Sequence, residues 1–394
     1  VSHLSPADIA AASAAAPARE RGRVVLRSAY STRTDAAGAV AEVSAELGSD
    51  ADLFIVFVPD GHGLLEAAAA LTAWAGERLI ACTSSGTIGP RGFQREGLLA
   101  IALSGPDVSV QTIPITPLVD QNAGWSRADT MLTAAAYQVA GDVAGRSAFA
   151  VLLVDGLSMR EESVAAQVMH RLGGIPVVGG SAGDDLRFQR TCVLADGRFV
   201  EDTATVTVVS TSAPFRPFRL QHHTAGDTVL VVTSASPAQR LVHTLNGRPA
   251  VQEYADVVGV PVEQLTPTVF STYPLVMRAG GGDWVRSISR AEPDGSLRFF
   301  CAAEPGVVMR LARSTSAAEA IETTFTKLRR DLGDISGMLV FDCILRRLEF
   351  EERGIDDELG HVLASHRAVG FSTYGEQCDG VHVNQTMVGI AFGG

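Results

Sequence analysis

Phe149-Ala150-Val151-Leu152-Leu153-Val154 is an uninterrupted apolar run. It leads through a helical stretch and a short return segment to the turn Gly180-Ser181-Ala182-Gly183-Asp184-Asp185. A run with no polar alternation reads as a strand covered on both faces. The same phrase occurs twice more. Residues 53–58 lead to Cys82-Thr83-Ser84-Ser85-Gly86-Thr87, and residues 338–341 lead to Phe371-Ser372-Thr373-Tyr374-Gly375-Glu376. Each copy is strand, helix, second short strand, then a Gly/Ser/Thr turn with an acid or polar residue after its last Gly. Hydroxyls, amides and carboxylates gathered at strand ends are what a small polar ligand needs.

Working outward from the three copies, residues 23–29, 97–103, 191–194, 203–210 and 386–392 read as strands, and residues 64–74, 128–144, 159–172, 249–258 and 317–332 as helices. Ser158 with Glu161 three positions later predicts a capping box for the helix over 159–172. Asp196-Gly197 predicts a hairpin joining 191–194 to 203–210, and Asp294-Gly295 one joining 284–289 to 297–302. Gly280-Gly281-Gly282 is a turn. Pro214-Phe215-Arg216-Pro217 reads as an inter-domain joint. The fold class expected is α/β: mixed β-sheets flanked by helices, in two related halves built from repeated strand–helix–strand-turn units. Residues 1–22 are expected to form a weakly ordered tail, 23–212 the first domain and 213–394 the second.

Composition narrows the function. The chain has 394 residues, 46% apolar and 19% charged, with a formal charge of −12. That length favours two domains, and that charge repels nucleic-acid backbones and anionic membranes. Neither nucleic acid nor membrane is an expected partner. Five scattered cysteines without a C-x-x-C pair read as reduced thiols. No apolar run approaches the ~20 residues of a membrane span, and the N-terminal stretch lacks the pattern of a secretory signal. A soluble, cytoplasmic protein is expected.

Candidate chemistry centres on the turns. Ser84, Ser85, Ser181, Ser372 and Thr373 can donate and accept toward a ligand, or cap local backbone. Asp184 and Glu376 could grip an ammonium group. Arg286 and Arg346 could bind a carboxylate bidentately. Gly179-Gly180-Ser181-Ala182-Gly183 fits the G-x-S-x-G elbow, which raises a Ser- or Cys-dependent hydrolase as the alternative, with Ser181 or Cys343 as nucleophile and His382 as base. The elbow needs a following helix, and the sequence after it offers none. No H-E-x-x-H or Cys/His finger spacing is present, and no phosphate-binding loop. A haem needs one axial imidazole and an apolar cavity; His222, His223, His243 and His382, within or beside apolar strands, are the axial candidates. No other metal is expected.

At these motifs the chain resembles the FIST family (F-box and intracellular signal transduction proteins). The matching pieces are residues 82–88, 178–186, Asp196-Gly197-Arg198, Leu245-Asn246-Gly247-Arg248-Pro249-Ala250 with Tyr254, Phe341-Asp342-Cys343 with Arg346, residues 370–376, and His382-Val383-Asn384-Gln385-Thr386. The resemblance implies FIST N-like and FIST C-like domains for the two halves, an intracellular sensory role rather than catalysis, and a small-molecule ligand, amino acids having been proposed. It brings Asn384 into the ligand-binding set. Some members look like haem proteins that sense nitric oxide and regulate histidine kinases or cyclic-di-GMP enzymes, which admits haem as a cofactor. The chain carries no kinase, cyclase or receiver segment, so its output would reach such a two-component or cyclic-di-GMP partner in trans. Thr87 departs from the acid that members often carry there. The sequence leaves the oligomeric state open.

Overall fold

The computed structural model describes residues 22–105, 107–141, 146–279 and 281–394. The expected tail lies outside the described residues except for Gly22, as do Gly280 and the end of the helix expected over 128–144.

Three six-stranded sheets of corresponding order form the body. The first runs Val25–Ser31, Leu98–Ser104, Leu53–Pro59, Leu79–Ser84, Val193–Ala195, Arg198–Val200. The second runs Ser109–Ile115, Ala204–Thr211, Ser147–Val154, Val177–Ser181, Glu376–Cys378, Val381–Val383. The third runs Phe215–Leu220, Met387–Gly393, Ile335–Cys343, Ala368–Thr373, Thr87–Gly89, Gly92–Gln94. In each, the apolar central strand has one antiparallel neighbour and one parallel neighbour, and a hairpin completes the far edge. The hairpin always comes from elsewhere in the chain. Residues 193–200 follow the second parallel pair and complete the first sheet. Residues 376–383 follow the third pair and complete the second sheet, and residues 87–94 follow the first pair and complete the third. The two expected halves therefore exchange strands in both directions.

The apolar runs explain why the sheets face one another. Alternate residues of a strand point to opposite faces. Leu53, Ile55, Phe57, Phe149, Val151, Leu153, Leu339 and Phe341 meet in one central core shared by all three sheets. Their alternates, such as Phe54 and Val56 or Leu152 and Val154, pack against helices outside: Ala36–Leu47 with Leu64–Ala75, and Gln121–Ala140 with Glu161–Leu172. Ala317–Leu332 and Asp356–Ser365 cover the third sheet. In the centre Phe57 stacks on Phe371 with ring centroids 4.3 Å apart, and Phe149 meets Phe392 edge-on at 5.6 Å. Truncating such a ring costs about 3–5 kcal/mol.

Residues 223–314 are inserted between the edge strand and the central strand of the third sheet. They form an eight-stranded sheet with the helices Ala250–Val258 and Pro267–Thr272 around Tyr254, Phe270, Leu275 and Phe299.

Tertiary contacts overrule several local expectations. The capping box does not form: the helix starts at Glu161 behind Arg160, Ser158 Oγ donates to Asp155 O at 2.8 Å, and Glu161 turns to Arg240 instead. Over Asp196-Gly197, Val193–Ala195 pairs with Arg198–Val200, while Ala204–Thr211 belongs to the second sheet. Residues 284–289 are not one strand, because the chain breaks between Gly282–Arg286, which pairs with Leu275–Ala279, and Ile288–Ala291, which pairs with Leu297–Phe299. The presumed joint at Pro214–Pro217 opens the strand Phe215–Leu220, where an edge tolerates the missing N–H of Pro217.

Candidate functional site

The three parallel pairs end in register, with Pro59 opposite Ser84, Val154 opposite Ser181 and Cys343 opposite Thr373. The turns that follow interlock in a ring. Ser85 N donates to Ser372 O at 3.3 Å and Ser372 N to Gly86 O at 2.8 Å. Ser181 N donates to Gly375 O at 2.8 Å and Tyr374 N to Ser181 O at 3.2 Å. Gly183 N donates to Thr83 O at 3.1 Å. A Cβ on Gly183 would stand 2.1 Å from Ser85 Oγ, and one on Gly375 2.2 Å from His382 Cε1, so both positions need glycine for close approach.

The structure thus brings together Ser84, Ser85, Ser181, Asp184, Ser372, Thr373 and Glu376, but all of them are buried. Their polar atoms are largely consumed internally. Ser85 Oγ accepts from Asp185 N at 3.0 Å, and Ser181 Oγ from Gln377 Nε2 at 3.1 Å. Asp184 accepts from Phe188 N, Gln189 N and Arg190 N at 3.0, 2.6 and 2.9 Å, and from the Tyr374 hydroxyl. It holds a loop rather than presenting a carboxylate outward. Glu376 accepts from Thr373 Oγ1, Thr386 Oγ1 and Thr386 N. Burial pushes its carboxyl up to about 8, so it is mostly neutral at pH 7. Ser84 Oγ, Thr87 Oγ1, Ser372 Oγ and both amide atoms of Asn384, which lies against Gly375, are buried without protein partners.

Of the remaining candidates only His382 lies against the ring, beside Gly375. Arg346 is fully buried, paired through Nε with Asp342 at 2.6 Å and donating Nη1 to His222 Nδ1 at 2.6 Å. Arg286 lies half-buried against Cys301 on the inserted sheet. His243 is held between Ser236 and Ser296. His382 shares a Gln377 contact at 3.0 Å and reaches Phe300 O at 3.3 Å.

His222, His223 and Glu349 could together hold a metal ion, their ligand atoms lying within 4.8 Å of one another. A metal-bound imidazole donates its second N–H outward. Here Arg346 can only donate to His222 Nδ1, so the proton sits on Nε2 and faces Glu349 Oε2 at 2.9 Å. Ser314 and Arg353 complete the carboxylate at 2.9 and 2.8 Å. The cluster clamps the point where the chain passes into and out of the inserted sheet, leaving His223 Nδ1 buried without a partner. A haem fits no better. The cleft described below is lined by none of His222, His223, His243 or His382, and burial holds the imidazoles of His222, His223 and His382 below their ordinary pKa.

For a hydrolase, Ser181 would need a base within hydrogen-bond reach. Gln377 stands between, its Nε2 facing both Ser181 Oγ and His382 Nδ1. A carboxamide cannot take the proton. Burial also pushes the Cys343 thiol well up, away from a reactive thiolate.

The open site is next door. A cleft of about 220 Å³ separates the loops of the second sheet from the inserted sheet, lined by Gly156, Leu157, Met159 and Phe188 on one side and Arg240, Ser289, Arg290, Arg298, Phe299 and Phe300 on the other. It lies beyond the carboxyl ends of the parallel strands Ser147–Val154 and Val177–Ser181, the usual place for ligands in open α/β sheets. Its rim is strained: Met159, Asp185, Leu186 and Phe188 have φ of 54°, 55°, 62° and 52°, at about 1–3 kcal/mol each. The Asp184 carboxylate holds that loop by its backbone N–H groups. Arg240 crosses the cleft floor to Glu161 and Glu162 and donates to Phe300 O at 2.7 Å. Phe188 and Phe300 both contact Tyr374, with centroids 5.2 and 6.0 Å away, so the cleft wall touches the ring of turns. None of these lining residues was singled out from the sequence. They come from segments far apart in the chain, and left-handed backbone in non-glycine residues leaves no compositional trace.

Comparison with known proteins adds two findings. No curated protein matches the chain. The FIST N domain matches residues 52–248 and the FIST C domain residues 250–379. Together they span most of the molecule, including the turns and the cleft, and the chain belongs to the FIST family.

Proposed function

We propose that this protein is a sensor whose small-molecule ligand sits in the cleft between the second sheet and the inserted sheet, and that it reports occupancy to a separate signalling enzyme. FIST domains are associated with sensing in signal transduction. The observation that carries the site is the strained aromatic rim, built from Met159 and the 185–188 loop, over a cleft that joins two parts of the fold. A ligand there touches both parts and so favours one arrangement of them; without that differential contact nothing would shift. Phe188 and Phe300 then pass the change to Tyr374, and through its hydroxyl to Asp184.

The size favours a molecule of about an amino acid's bulk, since about 220 Å³ falls below the ~300–1,000 Å³ of drug-sized sites. It does not favour a macrocycle such as haem. A histidine kinase or a cyclic-di-GMP enzyme is the partner class that the family resemblance brings. The test is thermal unfolding of the full chain against a small-molecule panel, with Leu157→Trp as a cleft-filling variant. A ligand present at 100 times its Kd adds about 2.7 kcal/mol of stability, and Leu157→Trp abolishes the rise. A rise that survives Leu157→Trp places the ligand elsewhere.

A further inference from the structure

We infer that the cleft selects a small monoanion, a carboxylate carried on an apolar or aromatic body; this rests on the cleft being the ligand site. The charged groups that line it are Arg240, Arg290 and Arg298, and no acid is among the lining residues. The three guanidiniums are not equivalent. Arg240 is buried and committed to Glu161 and Glu162 behind the wall. Arg290 and Arg298 both turn their Nε to the same oxygen of one residue, Glu292. On this wall two cations meet one anion; the excess is local, since on the cleft floor Arg240 alone answers Glu161 and Glu162. Arg298 gives Nη1 to Gln239 O at 2.9 Å, whereas the Nη atoms of Arg290 have no protein partner among the described residues. Guanidinium forks held at Nε present their outer N–H groups in the geometry that a carboxylate accepts.

The opposite wall sets the rest of the molecule. Leu157, Met159 and Phe188 offer apolar and aromatic surface with no carboxylate or carboxamide to accept from an ammonium group, and Phe300 adds an aromatic ring beside the arginines. A cation would meet the guanidiniums of Arg290 and Arg298. A neutral polar molecule would forgo the charge-assisted bonds, and a bare anion the apolar contact. An anion with an apolar body satisfies both walls.

The experiment measures binding of four shape-matched probes to the full chain at low ionic strength: phenylacetate, phenylacetamide, phenethylamine and acetate. The expected order puts phenylacetate at least tenfold tighter than each of the others. Salt weakens its binding, because the rim charges are partly exposed. Arg290→Gln with Arg298→Gln brings phenylacetate to the level of the amide, while Arg290→Lys with Arg298→Lys retains part of the preference. Phenylacetamide or phenethylamine binding as tightly as phenylacetate overturns the charge inference and leaves the cleft reading standing. Phenylacetate binding that survives Leu157→Trp overturns the cleft reading. No binding by any probe overturns both.

Discussion

The ring of interlocked turns and the cleft beside Phe300 both carry glycine, hydroxyls and charged groups, with acids in the ring and arginines lining the cleft. They meet at Tyr374, which hydrogen-bonds Asp184 on one side and packs on Phe188 and Phe300 on the other. In the ring the polar groups face one another, because each turn is roofed by the next. In the cleft they face a gap, because the inserted sheet meets the second sheet through loops. Polarity at a strand end marks a binding site only where no neighbouring element consumes it. A few buried polar atoms of the ring, Asn384 Oδ1 and Nδ2 above all, have no protein partner.

This contrast can be broken in order of effect. Gly183→Ala drives a Cβ into Ser85 across the ring. Close-packed sites lose about 1–3 kcal/mol or more on such overpacking, and we expect the largest loss here, read by urea unfolding, with any residual ligand affinity unchanged per folded molecule. A loss below about 0.5 kcal/mol, the range of ordinary surface changes, would mean the turns are not tightly joined.

The Glu376 carboxyl gives a pH test. Its folded pKa of about 8 lies above the ordinary carboxylate value. The folded state therefore holds the proton longer, and its contribution to stability is complete below the unfolded pKa and lost as pH rises through about 8. Glu376→Gln should become more stable relative to the parent by a few kcal/mol between pH 5 and 8.5, measured by denaturant midpoints. The buried histidines oppose this at the acid end, because their lowered pKa values cost stability as pH falls below the unfolded value; the comparison between parent and variant cancels their effect. A pH-independent difference would show that Glu376 is ionised in the fold.

Asp184→Asn tests the link between the regions. It removes a charged acceptor from three backbone N–H groups, at about 1–3 kcal/mol. Hydrogen exchange should rise at Phe188, Gln189 and Arg190 first, and ligand affinity should fall with it because the rim loses its clamp. Unchanged exchange there would detach the ring from the cleft. The smallest effect on stability belongs to Arg290→Gln. The residue is half-exposed and its ion pair with Glu292 is worth at most about 1 kcal/mol. The melting temperature should hold while the preference for phenylacetate over phenylacetamide narrows.

Much of the fold was legible in the sequence. The runs at 53–58 and 149–154 lie wholly within central strands, and the helix over 317–332 stands where its periodicity placed it. The hairpins were misjoined, because turn residues fix a local reversal but not the strand that receives it. Asp196-Gly197 does turn the chain, yet its two short strands complete the first sheet rather than pairing with Ala204–Thr211. Glu161 suits a capping residue by its spacing from Ser158, a local role that a buried arginine 79 positions away displaces.

By itself the sequence determined which segments must be buried strands, where glycine is needed in the turns, and the family to which those motifs belong, since each follows from local composition and spacing. Only the tertiary structure decided that the turns close on one another and that an open cleft lies beside them. Whether a polar group meets solvent, a ligand or another part of the chain depends on what distant segments place against it, and short-range pattern does not encode that.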